Sequence, residues 1–213
     1  MVDTVGDFEH ALAAAFAELG LAAPSREFIT RTVGKGGEHL IAKALQHGGG
    51  DSALAREAWQ RYERHYLAIN GRFSQVYEGV VDGLRFLRGA GLKLACLTNK
   101  PSAFARPLLR DKGLAPWFDH VFGGDAFSHK KPHPLPVQKT CEALGVAPAR
   151  ALVIGDSSND AAAARAAGCT VLLVGYGYNH GEPLTSAGAH AIIERMDGHT
   201  LAPFLHAQHI ERR

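Results

Sequence analysis

Two short stretches of this chain end on residues suited to one piece of chemistry. "LKLACLTNK" is an apolar run that delivers Thr98 and Asn99, with Lys100 next. "ALVIGDSSND" is another, delivering Gly155, Asp156 and Ser157, then Asn159 and Asp160. Between them, "SHKKPHPLP" sets Lys130 and Lys131 in a stiff, proline-punctuated loop. One hydroxyl, one or two ammonium groups and two carboxylates make the set that a phosphate site with a hard cation needs. Hydroxyl and backbone N–H groups cradle the oxygens, a lysine balances charge, and carboxylates hold the metal. Each residue also has a plainer use. Asp156 and Asp160 suit the N-cap of a helix entering "AAAARAA", Thr98 is an ordinary strand-end residue, and Lys131 an ordinary surface charge. Their combination in this order favours the site.

Such residues converge only if strands bring them to one sheet edge, because ligands of open α/β sheets bind at the carboxyl ends of the strands. From Val80 onward, short apolar runs alternate with helical stretches. "LKLACLT", "ALVIGD" and "TVLLVG" read as strands, with "HVFGG" and "HAIIE" weaker. "VDGLRFLRGAG", "SAFARPLLRDKG", "PLPVQKTCEALG" and "NDAAAARAAG" read as helices, several of them stopped by a glycine. Up to about Phe73 the pattern is helix and loop alone. "DFEHALAAAFAEL", "EHLIAKALQ" and "SALAREAWQRYERHYLAI" are separated by "LAAPSRE" and "HGGGDS". At the very start, Thr4 as N-cap with Asp7 three residues on predicts a capping box, and Phe8, Leu12, Phe16 and Leu19 follow at helical spacing. The expectation is an all-helical cap over residues 1–75. A doubly wound, mainly parallel Rossmann-like α/β core follows over 76–213, with the join near "NGRFSQVYEG".

The 213 residues are 46% hydrophobic and 21% charged with a net charge of +2, too balanced for nucleic-acid or membrane binding by bulk electrostatics. Cys96, Cys141 and Cys169 show no metal or redox spacing and predict inert thiols. With no signal-peptide pattern, a reducing cytoplasm is the default expectation. The end "HIERR" reads as a solvated tail. His206 just before it and His209 at its start, like His129 and His133 around the lysine loop, read as ordinary histidines.

"LTNKP", "KKPHPLP" and "VIGDSSND" together resemble the second, third and fourth motifs of the haloacid dehalogenase-like phosphatases. Within that family, "GGDAFSHKKPHPLP", "GDSSNDAAAARAAGC" and "GYGYNHGE" are most similar to members that hydrolyse 2-phosphoglycolate. The resemblance implies a Mg²⁺-dependent phosphatase in which an aspartate attacks phosphorus and water hydrolyses the aspartyl-phosphate. A second aspartate two residues later serves as acid and base. Carried onto this sequence, Thr98 donates its hydroxyl to the phosphoryl oxygens and Asn99 its backbone N–H. Lys131, directly before Pro132, neutralises developing charge in preference to Lys130. Asp156 ligates Mg²⁺, and Asp160 supports the metal shell.

The family's first motif, an apolar strand and then D-x-D-G-T-L, is not found. No D-x-D occurs in the chain, and "MVDT" matches the segment just after that motif. The expectation is a sequence lacking the central strand and both catalytic aspartates, inactive as it stands, with two strand edges left without a partner. For the substrate, Arg31 and Lys35 in "TRTVGKGGEHL" and Lys100 are the candidates to meet a carboxylate; Tyr176, Tyr178 and Asn179 would wall the site. A small phosphorylated metabolite is the expected partner, with no nucleic acid or membrane, and the protein a monomer or homodimer. The alternatives are another small phosphorylated acid or sugar as substrate, or a non-catalytic phosphate-binding or interaction module.

Overall fold

The computed structural model describes the backbone of residues 1–210 and the side chains of residues 1–205. His206, His209 and the "HIERR" end therefore lie outside the described side chains. Four helices come first: α1 (Val5–Ala17), α2 (Arg26–Thr32), α3 (Gly37–His47) and α4 (Ala55–Ile69). They pack where their apolar residues recur at three and four. Ala11, Leu12, Ala15 and Phe16 of α1 share one buried cluster with Leu40, Ile41, Ala44 and Leu45 of α3 and Ala58, Tyr62 and Tyr66 of α4. Phe104, from a later helix, enters the same cluster.

The second part alternates as the apolar runs imply: α5 (Val80–Gly89), β3 (Ala95–Leu97), α6 (Ser102–Asp111), β4 (His120–Phe122), α7 (Leu135–Leu144), β5 (Leu152–Gly155), α8 (Ser158–Ala166), β6 (Thr170–Val174), β7 (Ala191–Ile193) and α9 (Gly198–Ile210). β3 pairs with β4 and β5 with β6 with β7, all in parallel. β6 shows why the sheet is covered on both faces. Leu172 and Val174 enter a core with Val80, Leu84 and Leu201, while Val171 and Leu173 enter another with Val137, Ala161 and Ala164. Successive strand residues point to opposite faces, so an uninterrupted apolar run needs helices above and below. The β3–β4 and β5–β6–β7 groups are separate among the described residues. Cys96 and Leu97 of β3 and Ile154 and Gly155 of β5 line one cavity between them.

Four local features depart from the sequence expectation. A two-residue strand, β1 (Val2–Asp3), precedes α1 and pairs antiparallel with β2 (Gln75–Val76). The Thr4 side chain makes no cap bond; the first turn is held instead by Asp3, whose Oδ1 accepts from the Val5 N–H at 3.1 Å. Asp7, the expected capping-box partner, is fully buried and accepts from Gly71 N–H at 2.8 Å, Phe73 N–H at 2.7 Å and the Ser74 hydroxyl. Donors 64 or more residues away thus outcompete the local cap. Residues 26–32, read as loop, form α2: Ser25 accepts from the Phe28 N–H at 3.2 Å. α9 was likewise not foreseen, because histidine and proline interrupt its periodicity; fully buried Leu201 anchors it against α5.

Candidate active site

A cavity of about 270 Å³ lies at the carboxyl ends of β3 and β5, lined by Thr98, Asn99, Lys100, Lys131, Asp156 and Asp160. The carboxyl ends of β3 and β5 both open on this cavity, which is how two motifs 58 residues apart, Thr98 and Asp156, come together. Helices α1, α3 and α4 close the other side with Phe8, Leu40 and Tyr62, and the loop between α2 and α3 adds Val33 and Gly34.

The loop after β3 is a folded turn. Thr98 Oγ1 accepts from the Lys100 N–H at 3.1 Å, so a lone pair is taken while its proton is left to donate. The Asn99 side chain clamps the lysine loop: Oδ1 accepts from Lys131 N–H at 3.0 Å and Nδ2 donates to Lys131 O at 2.8 Å. Its role is therefore wider than the backbone contact expected from sequence.

Lys131 Nζ donates to Leu97 O at 2.9 Å and forms an ion pair with Asp160 Oδ1 at 2.6 Å. Burial opposes its charge, yet the carboxylates of Asp160 and then Asp156 outweigh that and raise its pKa above the usual value. Lys130 instead reaches toward Gly36 of the α2–α3 loop. Asp160 Oδ2 accepts from the Ser157 hydroxyl at 2.7 Å and from the Asp156 and Ser157 N–H groups at 3.2 Å, closing a capping box at the start of α8. Burial pushes Asp160 up, but Lys131 and these donors bring its pKa down to about 2. Both of its oxygens are taken, so the helix-cap use and the site use are one arrangement.

Asp156 differs. Its Oδ2 accepts from Tyr178 N–H at 3.3 Å, and Oδ1 has no hydrogen-bond donor among the described residues. Burial, and then the charge of Asp160, push it up to about 6. A half-buried carboxylate with a free oxygen and a raised pKa suits one ligand position of a hard divalent cation. No group of three or more His, Cys, Asp or Glu forms a ready metal cage among the described residues. Gly177 makes room for this carboxylate: a Cβ there would lie 2.2 Å from Asp156 Cβ. Gly177→Ala is therefore expected to lower the unfolding free energy by about 1–3 kcal/mol, read by urea denaturation.

Arg31 and Lys35 do not line the cavity. α2 turns Arg31 outward, where it pairs with Glu27 at 2.9 Å, and Lys35 is exposed in the loop that follows. That loop meets the site through its backbone: Gly34 O accepts from Asn99 Nδ2 at 3.1 Å and from Asn159 Nδ2 at 3.4 Å. His180 packs on Gly34 so closely that a Cβ would fall 2.6 Å from its Cε1. Sequence reasoning left Asn159 and His180 out of the site. The place of Asn159 within "GDSSND" was an available signal; His180, with φ of 55°, had none. Tyr176 and Tyr178 wall the cavity, while Asn179 Oδ1 accepts from Ser158 N–H at 2.7 Å. His129 and His133 stack on each other, with ring centroids 4.0 Å apart, outside the lining. All three cysteines are buried and free.

Residues 2–168 match the haloacid dehalogenase-like hydrolase family. The chain is 41% identical over 196 residues to the phosphoglycolate phosphatase of Thiobacillus denitrificans, covering 91% of this chain and 86% of that protein. Its identity to the phosphoglycolate phosphatase of Nitrosospira multiformis is 42%, with the same coverage. The crystal structure of a predicted phosphoglycolate phosphatase from Haemophilus somnus 129pt superposes with a TM-score of 0.86 at 27% identity, covering 96% of this chain and 93% of that one. Among the described residues no helix is long and apolar enough to cross a membrane. With its motifs assembled around one cavity and these likenesses along most of its length, the chain belongs to the haloacid dehalogenase-like hydrolases.

Proposed function

We propose that this chain carries the phosphoryl-binding and cation-binding half of a Mg²⁺-dependent phosphatase site for 2-phosphoglycolate, in a reaction that passes through an aspartyl-phosphate. Residues 1–75 act as the cap and 76–213 as the core. The observation that carries this reading is the meeting of Thr98, Lys131 and Asp156 in one cavity at the strand ends. The naming of the relatives supports the choice of substrate.

Each residue then has a defined task. Thr98 donates its free hydroxyl proton to a phosphoryl oxygen, and the Asn99 N–H lies beside it in the same turn. Lys131, fixed by Leu97 O and Asp160, presents a permanent positive charge to the oxygens that gain charge during transfer. Asn99 holds the lysine loop at the distance that keeps the two donors convergent. Asp156 would hold Mg²⁺ through its free oxygen; when bound, that cation lowers the repulsion between an anionic nucleophile and the phosphate. Val33, Leu40 and Tyr62 exclude water from the opposite wall.

The nucleophile is a separate matter. Asp156 and Asp160 are the carboxylates lining the cavity among the described residues. One is placed for the cation and the other is locked to Lys131, so neither is free to attack. The chain as it stands is therefore expected to bind without turnover. Mg²⁺-dependent phosphate release from 2-phosphoglycolate tests this on two proteins: the 213-residue chain and one extended upstream by an apolar strand and D-x-D-G-T. Release only by the extended form, with kcat on the order of 10 s⁻¹, is the expected result. Turnover by the short form would overturn the motif assignment. Silence in both would favour a non-catalytic phosphate-binding module.

A further inference from the structure

Lys100 is the one cationic side chain of the cavity lining that the phosphate end does not use. Its backbone closes the Thr98 turn, but its ammonium extends to the α1–α4 side. There Nζ donates to Tyr66 Oη at 2.5 Å. It also lies 4.6 Å from the ring centroid of Phe8 and 4.5 Å from that of Tyr66. Hydroxyl and ring faces are neutral partners. They hold a cation in place by dipole and quadrupole and leave its charge uncompensated. The carboxylate that acts on it from within the protein, Asp7, has its oxygens engaged by Gly71, Phe73 and Ser74. Lys131, by contrast, is neutralised by Asp160.

Thus the two lysine ammonium groups of the cavity lining are in opposite conditions. Thr98 and Lys100 belong to one turn and line the same cavity, so a small acid phosphate held at Thr98 can also meet the Lys100 ammonium. We infer that Lys100 is the specificity-determining residue for the non-phosphorylated end of the substrate, binding a carboxylate placed one or two carbons from the phosphate ester. The inference rests on the phosphate-site reading above and deepens it. Of the three candidates the sequence offers for a carboxylate, it selects Lys100 over Arg31 and Lys35, which lie outside the lining.

Its titration has a consequence for binding. Burial depresses the Lys100 pKa to about 7, with the charge of Asp7 acting the other way. From α4, Tyr62 and Tyr66 also face it, and burial raises both, so they stay neutral hydroxyls. A free protein near pH 7 is thus a mixture of ammonium and amine. An arriving carboxylate favours the ammonium, so binding draws a proton onto Lys100. A ligand without a carboxylate draws none.

The test compares 2-phosphoglycolate, ethyl phosphate and inorganic phosphate by calorimetric titration with Mg²⁺ present. It uses the chain and its Lys100→Met variant, whose apolar side chain suits the aromatic surroundings. The wild type is expected to prefer 2-phosphoglycolate over ethyl phosphate by roughly tenfold or more, the equivalent of one charge-assisted hydrogen bond. Lys100→Met should remove that preference while weakening the other two ligands by less than about threefold. Repeating the titrations at pH 7.5 in buffers of different ionisation enthalpy gives a second readout. The wild type should take up more protons with 2-phosphoglycolate than with ethyl phosphate, and the variant should show no difference. An unaltered preference in Lys100→Met, or an equal loss for all three ligands, overturns the inference while leaving the phosphate site standing. Failure of the wild type to bind any of the three overturns the site reading and the inference with it.

Discussion

Lys131→Met is expected to abolish phosphate binding by this chain and to lower its unfolding free energy by about 3–5 kcal/mol, the cost of leaving one member of a buried ion pair alone. Asp160 would remain 6% exposed with no counter-charge, and Leu97 O would lose its donor. Calorimetric titration with inorganic phosphate reads the loss of binding and urea denaturation the loss of stability. A buried pair is not by itself stabilising, because apolar substitutes of similar volume avoid its desolvation. The double variant Lys131→Met with Asp160→Leu should accordingly regain much of the stability and none of the binding. That split separates the lysine's structural part from its part in the site.

The pH window of this effect follows from both partners. Asp160 lies at about 2 in the folded chain against an ordinary 3.8, so its stabilisation is present above the ordinary value and disappears as pH falls toward 2. Lys131 is raised above 10.5, so its share is complete below that value and is lost as pH rises through its folded pKa. The stability gap between wild type and Lys131→Met should therefore be widest between about pH 4 and pH 10.

Asp7→Ala should cost about 3–5 kcal/mol as well, for a different reason. The carboxylate satisfies two backbone N–H groups, of Gly71 and Phe73, together with the Ser74 hydroxyl, in a place with no access to water. Removing it strands buried donors, each with a desolvation penalty of about 1–3 kcal/mol. Asp7→Asn keeps the shape but replaces one acceptor oxygen by a donor, and should recover only part of the loss. Thermal unfolding of the two variants beside the wild type checks the order. Equal stability of all three would contradict the joint drawn here between α1 and the turn after α4.

These residues also show what the sequence could and could not convey. β3, β5 and β6 were legible because an uninterrupted apolar run bounded by Gly, Asn or Asp has few other physical uses. The reading-off of Thr98 and Asp156 at their ends follows from strand direction alone. The choice of Lys131 over Lys130 was legible too, through its neighbour Pro132. Asp7 was misread because a capping box is a local pattern, whereas its partners are supplied by a segment more than sixty residues away. Arg31 lies outside the lining for a related reason: the seven-residue α2 is too short to show a clear apolar period, and a helix decides which way a side chain points. The His180 contact with Gly34 depends on tertiary approach and leaves no periodicity to detect.

The Gly34 carbonyl has a consequence for motion. It accepts two side-chain amide donors, at 3.1 Å and 3.4 Å, from Asn99 and Asn159. When this seam parts, all three groups find water at nearly the same free energy, so separating them costs on the order of 1 kcal/mol per bond. The Asp7 joint at Gly71 to Ser74 offers no such exchange, being sealed from solvent. One side of the helical layer is thus clasped lightly and the other riveted. On the phosphatase reading proposed above, substrate entry is expected to be a hinge movement of the microsecond-to-millisecond class, one that leaves the helices folded and the lysine loop in place.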